Sequence, residues 1–277
     1  DNIALGQCSM GGATVTGGNN VAIGKAAGRD ITSGVYNVFF GNYAGCKATT
    51  SESGIGIGRE ALGYGPLTGN HNIAMGCRAG CEITSGEHNI MFGKLAMGCG
   101  IVTGSNNVVI GQEAGADITS GGDNVYLGPN AGENRTTSDT NVMIGKNAGS
   151  IGLTGNKGIF IGQSAGRSST GNYNHFFGYY AGRYNTGAHN VYLGPSAGRC
   201  QTSGGCNIFI GNEAGSNAAA SGGTGNNNIG MGCKALTALT SGASNVILGN
   251  YAGGSLTSAT DNIILGCFAA KNSISLC

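Results

Sequence analysis

The chain has no Trp, only 3 Pro in 277 residues, and charged residues at 10 per cent, and each scarcity removes a class of protein. Charge this sparse, against about a quarter in a typical globular domain, argues against an ordinary globular enzyme. Few Pro, with Gly not confined to every third position, excludes a collagen triple helix. A net charge of +1 with no basic run gives no basis for expecting nucleic acid as a partner. No apolar run approaches the ~20 residues of a membrane span, and no signal peptide opens the chain. The thirteen acidic residues do not follow the Gly-Gly-x-Gly-x-Asp pattern of calcium-filled repeats, and no metal or cofactor is expected.

What the chain has in excess is Gly, at 56 residues, and repetition. Sixteen units begin at Asn2, Asn20, Asn37, Gly54, Asn72, Asn89, Asn107, Asn124, Asn141, Gly158, Asn174, Asn190, Asn207, Asn228, Asn245 and Asn262, with a modal spacing of 17 residues. Counting the Asn as slot one, slots two and four are apolar except at His175. Slot five is always Gly, and slot eight is Ala in every unit but the first, where it is Ser9. No shift in composition marks a boundary, so residues 1–277 read as a single repeat domain.

A unit of this length is too short for a helix pair. Asn107-Val108-Val109-Ile110-Gly111 reads as a short β-strand ended by Gly, and polar Thr, Ser and Gly complete a circuit. The invariant Gly is expected either to adopt φ > 0 or to sit where a Cβ would strike the neighbouring coil. Each unit is then one coil of an all-β parallel β-solenoid, pairing with the coils before and after it, and about sixteen coils give an elongated rod. Stacked on this repeat, the Asn side chains form an amide ladder.

Side chains alternate faces along a strand. If slots two and four face the core, slot three faces outward, and there it reads Tyr126, Met143, Phe160, Phe176, Tyr192 and Phe209 on consecutive units. That stripe is the expected lateral interface with another copy of the chain. The alternative is that both strand faces are buried within one chain. The slot before the Thr is apolar at Ile31, Ile83 and Ile118 but polar at Arg135, Ser169, Asn185 and Gln201, so these aromatic coils are expected to differ in cross-section. Neither terminus has the composition of a cap, so the chain is expected to be an excerpt or to stack end to end.

The segments Asn20 to Gly28 and Asn107 to Gly115, Asn-[Ile/Val]-x-Ile-Gly-x-x-Ala-Gly, resemble the head repeats of trimeric autotransporter adhesins. They are also similar to the Gly/Asn-rich repeats of phage tail fibres. The resemblance covers essentially the whole chain and implies a parallel β-roll, often trimeric, acting as a stalk or adhesive fibre outside the cell. It also implies cell-surface glycans or a receptor as partners.

Ten Cys suggest disulfides in an oxidising compartment. Register offers Cys81 with Cys99 on adjacent coils, Cys200 with Cys206 within one coil, and Cys267 with Cys277 in the last. Gly-x-Ser-x-Gly occurs around Ser164 and Ser196, but the same slot elsewhere holds Tyr43 or Glu113, and a hydrolase elbow needs a helix, a His and an acid. Catalysis is not expected. Asn134-Arg135-Thr136 is the one glycosylation sequon, and His71 and His88, each preceding an Asn, are placed to stack. The expectation is a non-enzymatic structural subunit of an extracellular or virion-surface fibre, self-assembling through its ends and an apolar stripe. A trimeric receptor-binding shaft is the first alternative, and an ice-binding solenoid presenting Thr rows is the second.

Overall fold

The computed structural model describes residues 1–152, 154–217 and 222–272. Its chain divides into two compact units, 1–140 and 141–277. The first holds strands β1 (Ile3–Leu5), β2 (Val21–Ile23), β3 (Val38–Phe40), β4 (Ile55–Ile57), β5 (Ile73–Met75), β6 (Ile90–Phe92), β7 (Val108–Ile110) and β8 (Val125–Leu127). The second holds β9 (Val142–Ile144), β10 (Ile159–Ile161), β11 (His175–Phe177), β12 (Val191–Leu193), β13 (Ile208–Ile210), β14 (Ile229–Met231), β15 (Val246–Leu248) and β16 (Ile263–Leu265). Within each unit every strand pairs parallel with its sequence neighbours, slot for slot: Val38 lies beside Ile55, and Phe176 beside Tyr192. Both units are parallel β-solenoids of about 17 residues per coil. The same coil builds both, so the division falls between two repeats and not between two folds.

Three residues per coil turn the chain through left-handed backbone conformation. In the coil led by Asn174 they are Tyr173 (φ 57), Tyr180 (φ 59) and Gly182 (φ 56). Outside Gly this conformation costs about 1–2 kcal/mol per residue. Each corner is held by hydrogen bonds between coils: the N–H of Tyr173 donates to the Asn156 carbonyl (3.0 Å), Tyr180 to Gln163 (3.1 Å) and Gly182 to Ala197 (2.9 Å). The slot-five Gly meets both reasons the repeat suggests for it. Gly24 has φ +130, and a Cβ there would lie 2.6 Å from the Gly41 carbonyl oxygen.

The interior overturns the expected orientation of the strands. Slot three points inward. Tyr126, Met143, Phe176, Tyr192 and Phe209 are fully buried and Phe160 is 1% exposed, so none of the six lies on an outer surface. The physical reason is the size of the coil's cavity. Slot eight supplies only Ala, and slot nine is Gly wherever slot three is aromatic, so one large ring per coil fills the space. A Cβ on Gly166 would come 2.7 Å from the Phe160 ring, and one on Gly182 would overlap Phe176. Where slot three is itself Gly, at Gly56 and Gly230, slot nine becomes Leu62 and Leu236, both buried. The rings stack from coil to coil, with centroids 5.1 Å apart for Phe160 and Phe176, 4.7 Å for Phe176 and Tyr192, and 5.2 Å for Tyr192 and Phe209.

The polar residues of slot twelve are interior as well. Arg135, Ser169, Asn185 and Gln201 are as buried as Ile31, Ile83 and Ile118. Asn185 Nδ2 donates to the Tyr192 hydroxyl at 3.2 Å, so an aromatic coil admits polar side chains that meet the ring's own polar tip. Beside this core runs the amide ladder. Asn37 Nδ2 donates to Asn20 Oδ1 (3.0 Å) and to the Ser51 carbonyl (2.7 Å), while its backbone N–H donates to Asn20 Oδ1 (3.0 Å). Gly54 and Gly158, which lead units without Asn, still donate their N–H to the ladder residues Asn37 and Asn141.

Candidate assembly face

With slot three inward, slots two and four are the outward positions. All are apolar in residues 1–140, and His175 is the one polar residue among them in 141–277. A sheet face turned to water ordinarily carries polar residues at its outward positions. Here the face carries paired columns of Ile, Val, Leu, Met and Phe. In strands β2 to β15 the middle residue is buried while its flanking pair is exposed or half-buried. Phe40 is 53% exposed, Met75 41%, Leu193 47% and Met231 40%. Eight strands about 4.8 Å apart make each paired column about 34 Å tall. Continuous exposed apolar surface is uncommon on monomeric proteins, which makes this face the candidate for contact with a partner.

The expected disulfides are absent among the described residues. Cys81 is buried and its thiol donates to the Gly98 carbonyl on the next coil (3.0 Å), while Cys99, one slot further round, is exposed. The two slots aim their side chains differently, one into the wall and one into solvent. Cys46 repeats the arrangement with the Gly63 carbonyl (2.9 Å). Burial pushes the Cys81 thiol up to about 12 and moves Cys46 in the same direction, so both are poor nucleophiles. Cys200 and Cys206 are free, the latter on an exposed left-handed corner, and Cys267 is free and exposed. Cys277 lies outside the described residues.

The remaining candidates take the following places on the coils. Ser164 and Ser196 occupy left-handed corners, with Ser164 only 4% exposed, and neither stands at a strand-to-helix turn. His71 and His88 lie on adjacent coils with centroids 4.9 Å apart, but their rings are tilted by 33° and not stacked as expected. Asn134 is half-buried on a coil wall. The Thr row is a ladder between coils at the half-buried to exposed surface: Thr32 Oγ1 donates to the Thr49 carbonyl (3.0 Å), Thr119 to Thr136 (3.1 Å) and Thr240 to Thr257 (2.9 Å). Among the described residues no group of three or more His, Cys, Asp or Glu could hold a metal ion, and no helix is long and apolar enough to cross a membrane.

No family model matches the chain, and no curated protein matches it.

Charge is a feature that the total conceals. Residues 1–140 hold seven Lys or Arg against eleven Asp or Glu, a formal charge of −4, and residues 141–277 hold seven against two, a formal charge of +5. Counting by halves reads this directly from the sequence; the whole-chain value of +1 hides it.

Proposed function

We propose that the chain is a non-enzymatic structural subunit of an extracellular or virion-surface fibre, associating with further copies of itself through the outward apolar columns of its strands. The observation that carries this reading is that slots two and four are apolar in coil after coil although they face outward. A second copy suits the face in two respects. Its columns repeat at the same coil rise, so apolar rows align without a register penalty. The opposite charges of 1–140 and 141–277 give two copies complementary fields, which favour association.

The Asn-led motif supports the same reading through its likeness to adhesin heads and tail fibres, where a solenoid serves as a shaft. A closed trimer forming the shaft of a receptor-binding fibre is the second reading. The Thr row gives ice binding no comparable support, because its hydroxyls are engaged between coils.

Sedimentation velocity of the native protein across a concentration series tests the proposal. A species at three times 27.4 kDa supports the trimeric shaft, and growth without limit supports a filament subunit. A monomer at every concentration overturns both.

A further inference from the structure

Arg167, Arg183 and Arg199 occupy slot ten of three consecutive coils in residues 141–277. Backbone bonds fix the row: the Ser168 N–H donates to the Arg183 carbonyl (2.9 Å), and the Tyr184 N–H to the Arg199 carbonyl (3.3 Å). The arginines therefore repeat at the coil rise of about 4.8 Å. Each side chain is half-buried. The Arg183 guanidinium lies 4.4 Å from the Tyr180 ring centroid and 4.9 Å from that of Tyr184, and the Arg199 guanidinium lies 5.3 Å from Tyr180. Ring contacts hold Arg183 and Arg199, backbone stacking holds the row, and the Nε atoms of all three are buried without a hydrogen-bond partner. None of the three pairs with a carboxylate among the described residues, and the nearby Glu213 pairs with Lys234 at 3.6 Å.

Three like charges at this spacing repel one another, and an anion repeating along the coil axis would relieve them. Guanidinium groups match carboxylate and sulfate through paired hydrogen bonds. Tyr179 and Tyr184, 47% and 40% exposed, put flat apolar rings beside the row, a surface on which a sugar ring can rest. Arg199 also lines a cleft of about 310 Å³ together with Ser196, Cys200, Glu213, Ser216 and Asn217, and the Glu213 carboxylate there is the one that pairs with Lys234. We propose that Arg167, Arg183 and Arg199, with Tyr179 and Tyr184, bind a linear acidic polysaccharide bearing carboxylate or sulfate groups. A single-stranded nucleic acid fits less well, because it stacks successive bases on successive rings, and the ring at the centre of this row is closed. Tyr180 is already covered by two guanidinium groups and by Tyr179, whose centroid is 3.8 Å away. The proposal goes beyond the assembly reading and does not require it.

The test is isothermal titration of the full chain with hyaluronan and heparin oligosaccharides, with dextran and an oligo-dT as controls. Binding of an acidic saccharide that weakens with salt is expected. The triple variant Arg167→Gln, Arg183→Gln, Arg199→Gln should lose about tenfold or more in affinity, as for removal of charge-assisted hydrogen bonds. The corresponding triple Lys variant should keep salt-dependent binding at reduced affinity, and it serves as the folded comparison if the Gln variant does not melt cooperatively. Absence of saccharide binding, equal binding by a folded Gln variant, or tighter binding of oligo-dT overturns the proposal. So does dissociation of an assembly by the Gln variant, which would make the row a contact between copies.

Discussion

A ring at slot three takes up volume that the same coil must vacate at slot nine. Phe176 faces Gly182, whereas Met91 faces Met97 and Gly56 faces Leu62, so the two slots share one cavity. Phe176→Ala should cost about 3–5 kcal/mol by opening a void. Gly182→Leu alone should also destabilise, because its side chain would overlap the ring. The double variant should recover part of the loss, since Leu62 already tolerates the same left-handed corner at φ 53. A thermal-melting double-mutant cycle should show a coupling of about 0.5–3 kcal/mol, and strictly additive singles would refute the shared cavity. For the ring-bearing and Gly-bearing coils this complementarity was legible in the sequence, because aligned units show Gly at slot nine wherever slot three is aromatic and Leu there where slot three is Gly. Alternation along the strand was legible too, but it does not say which face is inside. Two apolar slots outweigh one in any simple count, and the count points the wrong way because the cavity holds only one side chain per strand.

At the scale of the element, each strand is only three residues long and gains its order from its neighbours. The ladder shows how much one residue carries. Asn190 accepts from the Asn207 N–H (2.9 Å) and donates to Asn174 Oδ1 (3.2 Å) and to the Gly204 carbonyl (3.0 Å), all out of contact with water. Asn190→Ala leaves these groups unpaired, at ~1–3 kcal/mol for each buried group, whereas Asn2→Ala at the exposed end of the ladder should cost less, because the bonds it accepts from Asn20 are only part-buried. Equal melting temperatures for the two variants would remove the ladder as a source of stability. The coil wall gives a pH dependence as well. Burial raises the Cys81 thiol from 9.0 to about 12, so the folded state keeps the proton that the unfolded chain releases. Stability should therefore fall as pH rises from about 9 towards 12, and Cys81→Ala should flatten that fall in melts across the range. Strands and ladder were visible in the sequence because apolar runs and Asn recur at fixed spacing. The corners were not, since Tyr, His and Glu in left-handed conformation follow no propensity, and bonds between coils impose it.

For the whole molecule, the sequence shows that an apolar surface exists and the structure shows which residues compose it. The two assignments predict opposite outcomes. If Phe40, Met75 and Ile110 belong to a face that meets another copy, Phe40→Lys, Met75→Lys and Ile110→Lys together should convert the assembly to monomers while leaving the far-ultraviolet circular dichroism of the solenoid unchanged. Their side chains are outward, and Lys can extend its charge into water from each. Phe160→Ser, Phe176→Ser and Phe209→Ser together should instead abolish cooperative melting, because they remove three stacked rings from the interior of consecutive or nearby coils. Sedimentation and circular dichroism on the two triple variants separate the cases. Dispersal of a still-folded chain by the Ser variant, with the Lys variant assembling normally, would return the interface to slot three and contradict the burial of its rings. Dispersal by the Lys variant alone would identify the face through which copies of the chain associate, since only outward residues can lose a partner without losing the fold.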